Sequence, residues 1–262
     1  MKLDILFRSC SNVHCYTGPE RIKKVDKADL MLHSWWSLLN SINHCDSKSN
    51  IRVTVLDDHS NVEVLGRMQA IANSFPLLPV TLIELETPGN GYSMLKNFEY
   101  GRDHCDGLVY FVEDDYLCHQ NMVQESLAFY RAGKSILQKE IAINPTDDPM
   151  RYRECYPSYI FLGERNHWRQ VGQTTCTFMV HHGILNRYWN LYERMSRYGE
   201  DPSIGEDTTI NLVYKDVPCF SPIPTLALHY QYEHTLSPFE DHEEWWEKSY
   251  PSVKRTLNER NH

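Results

Sequence analysis

Over the first ~115 residues, short apolar runs bounded by turn residues alternate with stretches of helical spacing, the rhythm of a parallel sheet with crossover helices. Asp4 to Ser9 reads as a first strand, followed by a loop over Cys10 to Glu20. Lys27 to Asn43 reads as a helix, its wide apolar face formed by Leu30, Leu32, Trp35, Trp36, Leu38, Leu39 and Ile42. Ile51 to Leu56 makes a second strand that ends in Asp57-Asp58-His59-Ser60. Asn61 to Phe75 is a second helix, with Val64, Leu65, Met68 and Ile71 at helical spacing and Pro76 and Pro79 closing it. Val80 to Leu85 is a third strand, and the glycines of Thr87-Pro88-Gly89-Asn90-Gly91 permit close backbone approach to a ligand. Tyr92 to Tyr100 reads as a third helix.

The chain is organised around the next run, Leu108 to Leu117. Five apolar or aromatic residues, Leu108-Val109-Tyr110-Phe111-Val112, read as a strand buried on both faces and lead into Glu113-Asp114-Asp115. Side chains alternate across a strand, so Glu113 and Asp115 leave on one face and Asp114 on the other. Like charges this close repel unless a cation lies between them, and an oxygen-rich site suits Mg2+ or Mn2+. For an isolated acidic triplet, a solvated strand end is the plainer reading. Asp57, Asp58, Glu113 and Asp115 all fall at the carboxyl ends of strands, where open α/β sheets bind ligands.

The second half is less regular. Asn121 to Lys139 reads as a helix interrupted at Gly133, and Ile141 to Asn144 as a short strand. From Met150 to Arg197 the chain reads as loop-rich, with a strand over Thr177 to Val180 and one helix over Ile184 to Met195. A helix start over Thr208 to Tyr214, a strand over Pro224 to His229 and a charged helix near Glu240 to Lys248 complete the pattern.

Composition narrows the class. At 262 residues, 41% hydrophobic and 23% charged, the chain suits one globular α/β domain. Charges interrupt the N-terminal apolar stretch, so it lacks the core of a signal peptide, and no run approaches the ~18 apolar residues of a membrane helix. The expectation is a soluble, cytoplasmic protein. Eight scattered cysteines without a Cys-x-x-Cys pair argue for free thiols over a zinc ribbon or a disulfide framework.

The order of motifs resembles the GT-A glycosyltransferases, especially the family 2-like, inverting, non-processive members. Val55-Leu56-Asp57-Asp58-His59-Ser60 is similar to that family's strand-end segment that contacts base and ribose. Asn90-Gly91-Tyr92-Ser93-Met94-Leu95-Lys96-Asn97 is similar to its Asn-x-Gly…Arg-Asn segment, with Lys96 in place of arginine. Glu113-Asp114-Asp115 resembles the Asp-x-Asp motif with Glu first, and Gly205-Glu206-Asp207 the Glu-Asp motif that supplies the catalytic base. His229 falls where many such enzymes place a histidine on the metal. The Gln-x-x-Arg-Trp motif of processive members is absent.

The resemblance implies a GT-A, Rossmann-like fold, a mixed and mainly parallel sheet flanked by helices, as a single domain over 1–262. Residues 1–118 would form the nucleotide-sugar-binding half and 119–262 the acceptor half. It further implies a nucleotide-sugar donor, UDP-linked, held by Asp57, Asp58, Asn90, Gly91, Lys96, Asn97, Glu113 and Asp114. Mn2+ or Mg2+ would sit on Asp115 and His229, with Glu113 a further ligand. Asp207 would be the general base, gaining basicity from partial burial or from Glu206. Each residue has a plainer alternative: Asp207 as a helix cap, Asp57 and Asp58 as a turn, His229 as a core histidine. His181 and His182, adjacent in a strand, would face opposite ways and are acceptor-side candidates at best. Trp35-Trp36 and Trp245-Trp246 read as packing residues.

The acceptor stays open between a glycan and a hydroxymethylated base in viral DNA. Residues 150–198 carry seven arginines, no lysine and three acids, a balance of +4 that leaves −13 for the remainder of a chain of net charge −9. Arginine interleaved with tyrosine and tryptophan suits phosphate contact and stacking, although the acidic total opposes broad DNA affinity. Rival classes are a nucleotidyltransferase and a non-catalytic sugar- or nucleotide-binding module; the sequence leaves the oligomeric state open.

Overall fold

A computed structural model describes residues 1–12, 22, 25–237 and 239–249. Most of the loop expected after the first strand, Cys15 included, lies outside them. In order the elements are β1 (Leu3–Ser9), α1 (Lys27–Asn43), β2 (Ile51–Asp57), α2 (Val62–Ala72), β3 (Val80–Glu84), α3 (Asn90–Asp103), β4 (Leu108–Glu113), β5 (Tyr116–Cys118) and α4 (Met122–Leu137). There follow β6 (Ala142–Ile143), α5 (Met150–Arg153), β7 (Ile160–Leu162), β8 (His167–Val171), β9 (Phe178–His181), α6 (His182–Arg187), α7 (Trp189–Met195), β10 (Cys219–Ile223) and β11 (Ala227–His229).

Nine strands form one sheet in the order β3-β2-β1-β4-β9-β6-β10-β8-β7. Its first four strands are parallel; β9 enters antiparallel to β4, and β8 and β7 continue antiparallel at the far edge. β5 and β11 pair separately as a short antiparallel ribbon. Strand alternation sorts the core into two layers. Ile5, Phe7, Tyr110 and Val112 face α1, α2 and α4, whereas Leu6, Val109 and Phe111 face α3, α6 and α7. Trp35 lies in the first layer 5.1 Å from Phe7, its indole N–H donating to the Met68 carbonyl at 3.0 Å. Each such large apolar side chain contributes roughly 1.5–3 kcal/mol by leaving water.

Several expectations need correction. α4 is continuous through Gly133; a Cβ there would meet Ile141 Cδ1 at 2.8 Å, so this glycine serves the packing of α4 against Ile141, just before β6. The helix expected over 184–195 is two, α6 and α7, with the break at Tyr188. The one expected from Thr208 is a pair of 3-10 turns, Glu206–Thr208 and Ile210–Lys215. The supposedly loop-rich 150–197 stretch contains β7 and β8. His181 and His182 do not diverge. His181 ends β9 opposite Leu108, at the far end of β4 from the acidic turn, and the two rings lie 4.8 Å apart.

Candidate active site

Three parallel strands end side by side, and their register sets which groups meet: Ser9 lies opposite Asp57 and Arg8 opposite Glu113. Asp57 is fully buried, accepting from Ser9 Oγ at 2.7 Å and from the Ser60 backbone N–H at 2.8 Å. The Asp58 backbone N–H donates to the Ser9 carbonyl at 2.7 Å, and its carboxylate accepts from the Gly89 N–H at 3.1 Å. The two aspartates thus close the strand-end turn and tie it to the loop before α3. Gly89 has φ of 135°, which requires glycine. Gly91 does make a close approach, but to protein: a Cβ there would lie 2.3 Å from the Ser196 carbonyl oxygen.

Arg8 is the centre of the next layer. Its guanidinium donates to Asn90 Oδ1 at 2.7 Å, Ser93 Oγ at 3.2 Å and Glu113 Oε1 at 2.6 Å. Burial opposes the charge on Arg8, but the neighbouring Glu113 and Asp114 charges outweigh it and raise its pKa. Burial, reinforced by Asp115, holds the Glu113 carboxyl above the usual range against the pull of Arg8 and His229. Asp114 leaves on the other side, bonded to Lys27 at the start of α1 and to the Cys10 backbone N–H at 2.8 Å. Lys96 pairs with Glu99 along α3 at 2.7 Å, and Asn97 is buried in the same helix; neither hydrogen-bonds to Arg8.

The ribbon brings His229 to the acidic turn. β11 sets His229 opposite Tyr116, the two rings stack at 4.5 Å and 8°, and the Tyr230 N–H donates to the Asp115 carbonyl at 2.8 Å. His229 Nε2 then lies 3.6 Å from Asp115 Oδ1. Burial disfavours the imidazolium, but Asp115 and Glu113 outweigh it and raise the His229 pKa.

Residues 173–177 form a strut from this turn to the second acidic motif. Thr177 Oγ1 accepts from the Glu113 N–H at 3.1 Å, and Thr175 Oγ1 meets the Tyr116 hydroxyl at 2.5 Å. The Thr174 N–H donates to Asn211 Oδ1 at 2.9 Å, and Gln173 Nε2 donates to Asp207 Oδ1 at 3.1 Å. Asn211 Nδ2 donates to that same Asp207 oxygen at 2.9 Å. Asp207 therefore does not cap a helix: two amide donors fix one oxygen, and no hydrogen bond among the described residues reaches Oδ2. The carboxylate is exposed, contrary to the partial burial expected of it; Glu206 beside it is half-buried.

Strand order and helix layers can now be compared with solved structures. S. aureus TarS aligns over 97% of this chain and 39% of its own, at 15% identity and a TM-score of 0.53. TarS 1-349 in complex with UDP aligns over 98% of this chain and 65% of its own, at 16% identity and a TM-score of 0.53. The fold is GT-A. The mannosyltransferase PcManGT from Pyrobaculum calidifontis, solved with GDP-Man and Mn2+, aligns more loosely, over 93% of this chain and 59% of its own, at 15% identity and a TM-score of 0.48. This GT-A chain spans less than two thirds of the length of these structures. No protein-family model and no curated relative matches it by sequence. Among the described residues, no helix is long and apolar enough to cross a membrane.

Whether the GT-A site fits a divalent cation is decided by its donors. Two ligands ~2.1 Å from one cation lie ~3 Å apart at a right angle and ~4 Å apart in line. The 3.6 Å between Asp115 Oδ1 and His229 Nε2 falls in that range. Glu113 is instead held by Arg8, and among the described residues no three His, Cys, Asp or Glu side chains cluster as a metal centre. Asp115 and His229 fit; Glu113 in this arrangement is Arg8's partner. The sequence reading missed Arg8, Lys27 and the whole strut. Arg8, a lone cation inside an apolar strand, was visible; the hydroxyl and amide residues of 173–177 carry no signal until their partners are known.

Proposed function

We propose that this chain transfers one sugar from a nucleotide sugar, UDP-linked, to an acceptor hydroxyl with inversion. The observation that carries the reading is the strut 173–177, which ties the Glu113–Tyr116 turn, where Asp115 faces His229, to Asp207 through Oδ1 and leaves Oδ2 without a hydrogen bond among the described residues. The UDP held by TarS on the same fold supports the choice of donor.

Asp115 and His229 would hold Mn2+ or Mg2+, which when bound supplies a Lewis acid for the leaving diphosphate. The chain's own groups do the rest. Arg8 holds Asn90, Ser93 and Glu113 together, which fixes the start of α3 against the acidic turn. Asp207 Oδ2 takes the proton of the acceptor hydroxyl while Gln173 and Asn211 keep the carboxylate in place, assistance worth ~10²–10⁴ in rate. As the acceptor oxygen bonds to the anomeric carbon, the carbon–diphosphate bond breaks and its electron pair leaves with the nucleoside diphosphate. A single displacement inverts the anomeric centre.

The test is a calorimetric titration of UDP, with Mn2+ present and then chelated, on wild type and Asp115→Ala. Binding weakened about tenfold or more both by the variant and by chelation is expected. Silence toward UDP, GDP and CDP under every condition would leave Glu113-Asp114-Asp115 a structural strand end, and pyrophosphate as product would move the reaction to nucleotidyl transfer.

A further inference from the structure

The arginines of 150–198 do not gather into one cationic surface. Arg151 is buried and donates to the carbonyls of Thr146 and Gln173, each at 3.2 Å. Arg165 lies 3.5 Å from Glu125, Arg197 3.4 Å from Glu200, and Arg187 over its neighbour Tyr188. Arg169 Nη1 lies 4.0 Å from buried Asp147. The positive charge is thus matched at Arg165, Arg169 and Arg197 and enclosed at Arg151, which weakens the main argument for an anionic acceptor.

Around Arg169 the chain builds something else. The Tyr152 hydroxyl donates to the Asp147 carboxylate, and the Arg169 guanidinium lies 4.6 Å from the Tyr152 ring centroid. Burial and the Asp147 contact push the Tyr152 phenol up to about 12, so it keeps its proton and remains the donor. Phe239 meets the same ring edge-on at 5.0 Å and 84°. Ile160, opposite Arg169 in the β7–β8 register, is 53% exposed, Tyr152 38% and Phe239 66%. Tyr152 is therefore a ring pinned by its hydroxyl and backed by a guanidinium, with Phe239 beside it left in water. It is also tied to the base: Arg151 holds the Gln173 carbonyl, and the Gln173 side chain holds Asp207.

We infer that Tyr152, with Phe239 at its edge, is the stacking platform of the acceptor site, and that the acceptor is a neutral carbohydrate. The inference rests on the glycosyl-transfer reading above and names its acceptor class. A pyranose presents a face of C–H groups that packs on an aromatic ring, and a ring fixed before binding loses little entropy when covered. A phosphate would have to compete with Asp147 for Arg169; an uncharged sugar leaves that pair intact.

Saturation-transfer NMR decides the matter, with chitotriose, cellotriose, maltotriose, mannotriose and an oligonucleotide bearing 5-hydroxymethylcytosine as probes. Wild type, Tyr152→Ala and Tyr152→Phe are compared, and UDP calorimetry is run on each. We expect at least one neutral oligosaccharide to bind wild type, Tyr152→Ala to weaken it about tenfold, Tyr152→Phe by less than about threefold, and UDP affinity to be unchanged. No oligosaccharide binding, equal binding by wild type and Tyr152→Ala, or binding of the oligonucleotide alone overturns the inference while UDP binding keeps the donor reading standing. Loss of UDP binding in wild type sinks both. If Tyr152→Ala misfolds and loses UDP, Phe239→Ala carries the comparison, with a loss of about threefold expected and no loss overturning the platform.

Discussion

The two sides of the sheet position their chemistry by different means. In the first half of the chain, long parallel strands do it through register: Ser9 meets Asp57 and Arg8 meets Glu113 because the strands that carry them end together. A slip of one residue would turn these groups to the opposite face, so their placement is as secure as the sheet. In the second half of the chain, His229 depends on a three-residue ribbon strand and Asp207 on two amide donors. The difference predicts that the strand-end residues of the first half couple to stability, whereas the exposed Asp207 can be changed with little effect on folding.

The sharpest contrast is expected at Asp207. Asp207→Asn keeps a carbonyl oxygen for Gln173 and Asn211 but removes the base, so kcat should fall about 10³-fold with the UDP affinity and melting temperature unchanged. Steady-state kinetics and thermal unfolding check both halves of that statement. Undiminished turnover would place the base elsewhere, and a large drop in melting temperature would make Asp207 a structural residue after all.

The same contrast explains what could be read from the sequence. In the first half, burial on both faces leaves continuous apolar runs and wide helical stripes, so α1 and β4 fall where the pattern puts them. In the second half, β8 reads His-Trp-Arg-Gln-Val, with Trp168 buried on one face and Arg169 on the other, which no apolar pattern distinguishes from loop. β10 contains Pro222, which counts against an interior strand. The structure resolves that conflict because β6 pairs only with Cys219 and Phe220, so Pro222 lies past the end of that neighbour and its missing N–H costs the ladder little. The candidate acids were legible as short motifs. What holds them was not, since Thr177 to Glu113 and Gln173 to Asp207 are contacts made only by long-range folding.

A change at the strand ends of the first half should behave in the opposite way to Asp207→Asn. Arg8→Met leaves Glu113 without its cation in a largely buried site and releases Asn90 and Ser93. Breaking a buried pair costs about 3–5 kcal/mol, and the 15% and 20% exposure of these side chains reduces the expectation to about 2–3 kcal/mol. Glu113→Gln in the same chain should recover part of it. Urea unfolding of the two single variants and the double variant closes the cycle. Additive losses would show that the pair is screened and that register, without the ion pair, fixes the strand ends.

The smallest effect tests where the second half closes back on the first. The helix over 242–249 lays Trp246 against His33 of α1, the rings stacked at 4.0 Å and 8°, and the Ser249 hydroxyl meets His33 Nδ1 at 2.8 Å. Trp246 also stacks on Tyr230, the residue after His229, at 5.2 Å. Burial lowers the His33 pKa to about 4, so the folded protein holds this imidazole neutral while the unfolded chain protonates it near the ordinary histidine value. The sign follows: above about pH 6.5 both states are neutral and the stability is complete, and as the pH falls toward 4 the unfolded state takes up the proton first and stability is lost. At pH 5 the loss should be about 1–2 kcal/mol. His33→Phe keeps a ring against Trp246 and cannot titrate, so the difference between its urea midpoint and that of wild type should shift in its favour between pH 7.5 and pH 5. A constant difference over that range would mean that protonated His33 is tolerated in the fold, through water or through movement of the last helix, and the closure over α1 would then be looser than the packing of α1 against the sheet.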